Sequence, residues 1–226
     1  RYLGIFDGVH SHRPHSLEEI CGRRFGDCKD KTRLLVAILR HLGMVAHPVL
    51  VNTVEREAIA RRLPSPLGFD HVIVVLRLGG RRYWLDPTYS HQTEPLARIP
   101  IPEYGRGLVV AKGIGRLAEI TQREANRSRV LIHEEYLMED PSEEAILEVE
   151  TVFVGMAATD ARTYFATASR HEIESESLSY YTGDWPKIRL AGPIKTEDDP
   201  VRCSFIVRER FRIRDPWTTD TDDPYS

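Results

Sequence analysis

Three side chains in this sequence have the chemistry of a nucleophilic site: Cys28, His71 and Asp86. A cysteine becomes a strong nucleophile when its thiolate is favoured, and it then needs a base within reach and a group that orients the base. Cys28 stands in "RRFGDCKDKTRLLVAILRHLG". Asp27 is a good helix N-cap, which makes Cys28 the first helical residue and puts Asp30 at N3. The unpaired amides and the positive end of the helix dipole favour thiolate there. Asp27 and Asp30 act against that, and Lys29 and Lys31 partly offset them. A lone cysteine at a helix start is more often structural than catalytic, so the functional reading depends on a partner.

The partner comes from "FDHVIVVLRL" and "RRYWLDPT", two apolar runs separated by Gly79-Gly80. Two glycines between such runs are a strong hairpin signal. A two-residue turn sets Leu78 opposite Arg81 and Ile73 opposite Asp86. His71, two residues before Ile73, shares its sheet face and becomes a diagonal neighbour of Asp86. The carboxylate can then hold the imidazole in one tautomer and leave its other nitrogen for a sulfur. A turn longer by one residue would put Asp86 on the other face. Taken singly, His71 could be an ordinary core histidine, and Asp86 before Pro87 a turn initiator.

These residues need elements to hold them. Ser16 with Glu19 three residues on is a capping-box pattern for a short helix over 16–23. The helix over 28–42 carries an apolar stripe of Leu34, Leu35, Ile38, Leu39 and Leu42, with Gly43 as its stop. Cys28 is seven residues before Leu35, so it is expected to face the sheet that this stripe covers. Residues 45–53 read as a strand and "VEREAIARRL" as a short helix. After Val110 the character changes, and 111–128 read as a connector. Strands are expected over 129–138 and 143–155, helices near 158–170 and 172–182, a weak strand at 187–194 and a long one at 201–213. The tail "TTDTDDPYS" is acidic and polar.

The chain has 226 residues, 41% hydrophobic and 29% charged, with a net charge of −3. That is room for one large or two small domains and gives no electrostatic reason to expect a nucleic-acid partner. No apolar run is long enough to span a membrane. The start "RYLGIF" lacks an initiator Met and reads as the start of a fragment. The compartment is open: exported and cytoplasmic locations both fit. Three cysteines do not make a disulfide framework, and no CxxC pair suggests zinc. Cys21 shares a helical face with Leu17 and Ile20, and Cys203 a strand face with Val201, Phe205, Val207, Phe211 and Ile213. Both read as packing thiols. The histidines of "HSHRPH" (His10, His12, His15) match no standard ligand spacing and read as a solvated or substrate-lining loop.

"FGDCKDKTRLLVAILRHLGMVAHPVLV", "FDHVIVVL" and "YWLDPTY", in this order, resemble the transglutaminase-like superfamily, closest to its bacterial branch. The resemblance covers roughly residues 16–110. It implies an α+β fold with a papain-like core over 1–115, in which a cysteine-bearing helix packs on an antiparallel sheet. A smaller β-rich α+β domain would follow over 116–226. It implies nucleophile, base and orienting acid at Cys28, His71 and Asp86, acting on amide bonds of peptides or proteins, with water or an amine as acceptor. No cofactor or metal is implied. A second oxyanion donor is expected from His15, Trp84 or Asn52, or from upstream of Arg1. The competing reading is a binding or scaffold module with an idle triad. A redox thiol would need a resolving cysteine near Cys28, and there is none.

Overall fold

A computed structural model describes residues 1–4, 12–122, 127–139, 144–214 and 216. His10 and the acidic tail from residue 217 lie outside the described residues. The chain is α+β and divides into two compact units, Arg1–Arg127 and Ser128–Ser226. The division falls beyond residue 115 because part of the presumed connector belongs to the first unit, as described below.

The first unit holds helix α1 (Leu17–Arg23), helix α2 (Cys28–His41) and a five-stranded antiparallel sheet. Its strands are β1 (Val45–Val51), β2 (His71–Leu78), β3 (Arg81–Leu85), β4 (Arg106–Val109) and β5 (Ala118–Glu119), in the order β3-β2-β1-β4-β5. The expected hairpin forms in the expected register, with Leu78 opposite Arg81. Gly79 and Gly80 both take positive φ, 56° and 74°, as the tight turn between twisted strands requires. Residues 54–63 contain a 3-10 helix, Arg56–Arg61.

Strand β2 is apolar without alternation because both of its faces are covered. On one face Val74 and Leu76 pack with Ala46, Leu85, Val36 and Leu39 of α2. On the other, Ile73 and Val75 pack with Val49, Val51, Trp84, Ile101, Tyr104 and Ile120. Ile120 lies in the stretch read as a connector, and β5 beside it pairs with β4.

Helix α2 buries a different stripe from the one expected. Thr32, Val36 and Leu39 are buried, whereas Ile38 and Leu42 are 48% and 62% exposed. The helix has apolar residues around most of its circumference, so spacing alone left its phase open by about one position. Cys28 precedes Thr32 by one turn and stays on the buried side, as its relation to Leu35 implied.

The second unit is an antiparallel sheet of β6 (Arg129–Leu137), β7 (Ala145–Val154), β10 (Ser204–Ile213) and β8 (Arg189–Leu190), with β9 (Lys195–Asp199) also paired to β10. Helices α3 (Met156–Thr167) and α4 (Arg170–Thr182) complete it. Phe205, Val207, Phe211 and Ile213 line the buried side of β10. On the exposed side, Arg208 and Arg210 pair with Glu150 and Glu148 of β7. The long strand starts at Ser204 rather than residue 201. Val201 is exposed, and Cys203 sits at φ 56° in the preceding turn, although its thiol is buried. Cys21, expected to pack, is exposed: α1 is short, and Ile20 is its buried residue.

Candidate active site

The N-terminus of α2 is built as the sequence suggests. Asp27 caps it, accepting from the amides of Lys29 and Asp30 at 3.0 and 3.3 Å. The Lys29 ammonium closes onto the same carboxylate. Asp30 turns away from the thiol and accepts from His15, from its backbone N at 2.8 Å and its Nδ1 at 2.9 Å. Arg23 Nη1 donates to His15 Nε2 at 2.7 Å. The ring is thus held as the Nδ1–H tautomer between an acceptor and a donor. His15 is buried as a brace between α1 and α2. It does not line a solvated loop, and its Nε2 is not free to serve an oxyanion.

Asn52 is also committed elsewhere. Its amide donates to Gly68 O at 2.9 Å, and its Oδ1 accepts from the backbone N of Val54 and Glu55. Trp84 packs in the sheet core. Among the described residues, no group of three or more His, Cys, Asp or Glu side chains is arranged to hold a metal ion.

The hairpin brings His71 and Asp86 together. His71 Nε2 donates to Asp86 Oδ2 at 2.8 Å. Thr32 Oγ1 donates to Val72 O at 3.0 Å, which fixes the second turn of α2 against the start of β2. One turn earlier stands the half-buried Cys28, close enough to His71 to act on the charge of its ring. With Nε2 given to Asp86, Nδ1 is the nitrogen left for the sulfur. Of the three residues singled out from the sequence, His71 and Asp86 are hydrogen-bonded, and Cys28 lies beside the ring.

Two further residues complete the network. Asp86 Oδ1 accepts from the backbone N of Thr88 at 2.9 Å and from its hydroxyl at 2.6 Å. This is an Asx-type turn over Asp86-Pro87-Thr88, so Asp86 serves the turn with one oxygen and His71 with the other. The hydroxyl of buried Tyr104 donates to Oδ2, the oxygen that also holds His71. The Tyr104 and His71 ring centroids are 5.8 Å apart. The D-P-T triplet signalled the Thr88 contact; nothing in "IPEYGRG" signalled Tyr104.

The electrostatics follow from this packing. Burial alone would lower the His71 pKa. The hydrogen bond to Asp86, together with the nearby Cys28 sulfur and the charges of both, outweighs it and raises the ring to about 9. Burial would likewise raise Asp86, but the bonds from His71, Thr88 and Tyr104 hold its carboxyl below the usual range. Burial and the charge of Asp86 push the Tyr104 phenol upward, so it remains a donor. Tyr2 and Lys31 border the site, with Lys31 Nζ 5.8 Å from the Tyr2 ring centroid. Burial, then the proximity of Cys28, Asp27 and Asp86, raises the Tyr2 phenol.

Comparison with protein-family models, with curated proteins and with solved structures finds no match. Among the described residues, no helix is long and apolar enough to cross a membrane.

Proposed function

We propose that this chain is a cysteine-dependent acyl-transfer enzyme with a transglutaminase-like, papain-like core, acting on amide bonds of peptides or proteins. The observation that carries this reading is the position of His71, hydrogen-bonded to Asp86 through Nε2 and beside Cys28 at the start of a helix.

In the proposed reaction, the Cys28 sulfur attacks the amide carbonyl and the C–N bond breaks. The departing amine takes the proton from His71, leaving a thioester on Cys28. Water or an amine then attacks the thioester, giving a proton to His71. The sulfur departs as thiolate beside the imidazolium. Asp86 holds the ring in place and stabilises its positive charge. With the Lys29 and Asp30 amides held by Asp27, the backbone amide of Cys28 itself would supply part of the oxyanion stabilisation.

Iodoacetamide labelling resolved by peptide mass tests the reading. Cys28 should label far faster than the exposed Cys21, and His71→Ala should abolish the difference. Equal rates at the two cysteines would reject the proposal and leave a binding module. Screening amide and amine libraries against the active protein would then separate hydrolysis from transamidation.

A further inference from the structure

The His71–Asp86 pair has a third member whose place is fixed by the backbone. Tyr104 lies in the loop before β4, and the residue after it, Gly105, has φ 66°. A Cβ at Gly105 would lie 2.5 Å from the backbone N of Glu57, so the chain passes hard against the 3-10 helix there. Ile120 N donates to Gly105 O at 2.8 Å and secures the loop from the β5 side. The phenol is consequently delivered, fully packed, to Asp86 Oδ2.

Asp86 does not need Tyr104 in order to be oriented. Its Oδ1 is already pinned by two bonds from Thr88. What Tyr104 changes is the charge available at Oδ2, because a carboxylate oxygen that accepts a second donor holds the first less firmly. Resting on the acyl-transfer reading above, we infer that Tyr104 is a positioning residue that limits how tightly Asp86 holds the His71 proton, so that the imidazole can both take and return it. Without this restraint, His71 would stay protonated over more of the working range and serve poorly as a base. The other ionisable groups that reach this network are Cys28 and Lys31 on α2, Asp27 at its cap, Tyr2, Asp70 before β2 and Tyr89 after β3. Oδ2 itself accepts from His71 and Tyr104.

The test is an NMR titration of His71 in wild type and Tyr104→Phe, with p-nitrophenyl acetate as acyl donor. Tyr104→Phe should raise the His71 pKa by roughly half a unit to one unit. It should leave iodoacetamide labelling of Cys28 at neutral pH within about twofold and slow deacylation several-fold. Site-specific 3-fluorotyrosine at position 104, a stronger donor, should shift His71 the other way, and it retains the side chain if the phenylalanine variant folds poorly. A His71 pKa that is unchanged or lowered in Tyr104→Phe, or unmoved by the fluorinated residue, overturns the inference. The titration needs no turnover. Slow labelling of wild-type Cys28 would therefore reject the enzyme reading, while the His71 titration alone judges the role of Tyr104.

Discussion

A Cβ added to Gly26 would lie 2.6 Å from the Cβ of Asp30. The chain entering α2 crosses the first turn of the helix at this point, and Asp30 is held in place by its two bonds to His15. The Gly-Asp-Cys-Lys-Asp stretch thus has a packing reason for its first and last letters, independent of the thiol between them. Gly26→Ala should cost roughly 1–3 kcal/mol in urea denaturation and should slow Cys28 labelling by displacing the cap. A variant with wild-type stability and labelling would show that the crossing relaxes freely.

The triad reading ranks three substitutions. Residual turnover should fall from wild type to Asp86→Asn, then to His71→Ala, with Cys28→Ala at background. Asparagine can hold the ring but favours the wrong tautomer and does not balance the imidazolium. His71→Ala removes the base altogether. The losses should be non-additive in double variants, because the residues act as one unit. Full activity in Asp86→Asn would contradict the scheme.

Stability should depend on His71 in one pH window. The folded ring titrates near 9, against an unfolded value of 6.5. Its protonated form therefore stabilises the fold fully below pH 6.5, and that contribution fades as pH rises toward 9. The Tm difference between wild type and His71→Gln should be largest in mild acid and smallest above pH 9. A difference that stays flat across this range would mean that the ring is not held by Asp86 in solution.

The three thiols should sort by position. Cys203 is only 2% exposed and should resist native labelling. Exposed Cys21 should label faster than Cys203 and far more slowly than Cys28. Rapid native labelling of Cys203 would mean that the turn before β10 opens readily.

Asp27→Ala removes the cap of α2, at a cost of about 1 kcal/mol. It also frees the Lys29 ammonium, which now pairs with Asp27. Thermal unfolding and the Cys28 labelling rate should both change. If neither does, Asp27 contributes nothing to this helix start.

The parts of the site that were legible in the sequence are those set by local rules. Gly79-Gly80 fixed the hairpin register, and the register placed His71 beside Asp86. Asp27 was readable as a cap because capping chemistry spans only a few residues. The phase of α2 was not, since Leu34, Ile38 and Leu42 offered an alternative apolar stripe and only the sheet selects between them. Tyr104 was hidden for a different reason. Its role depends on β4 pairing with β1 and on a positive φ at Gly105, and neither leaves a periodic signal. His15 misled because a polar cluster resembles a surface loop until Asp30 and Arg23 are seen to bracket it.

His71 and Asp86 sit on one hairpin, whereas Cys28 and Tyr104 arrive from elsewhere in the chain. Closing a two-residue turn is fast, whereas docking α2 and the Tyr104 loop must await the wider sheet. In a folding chain, the His71–Asp86 pair is thus expected to assemble from local contacts, with Cys28 joining it last. A nascent or partly unfolded copy would carry Cys28 without the ring beside it. In refolding, fast Cys28 labelling should return only with the final cooperative step. Its return in an earlier phase would reverse that order.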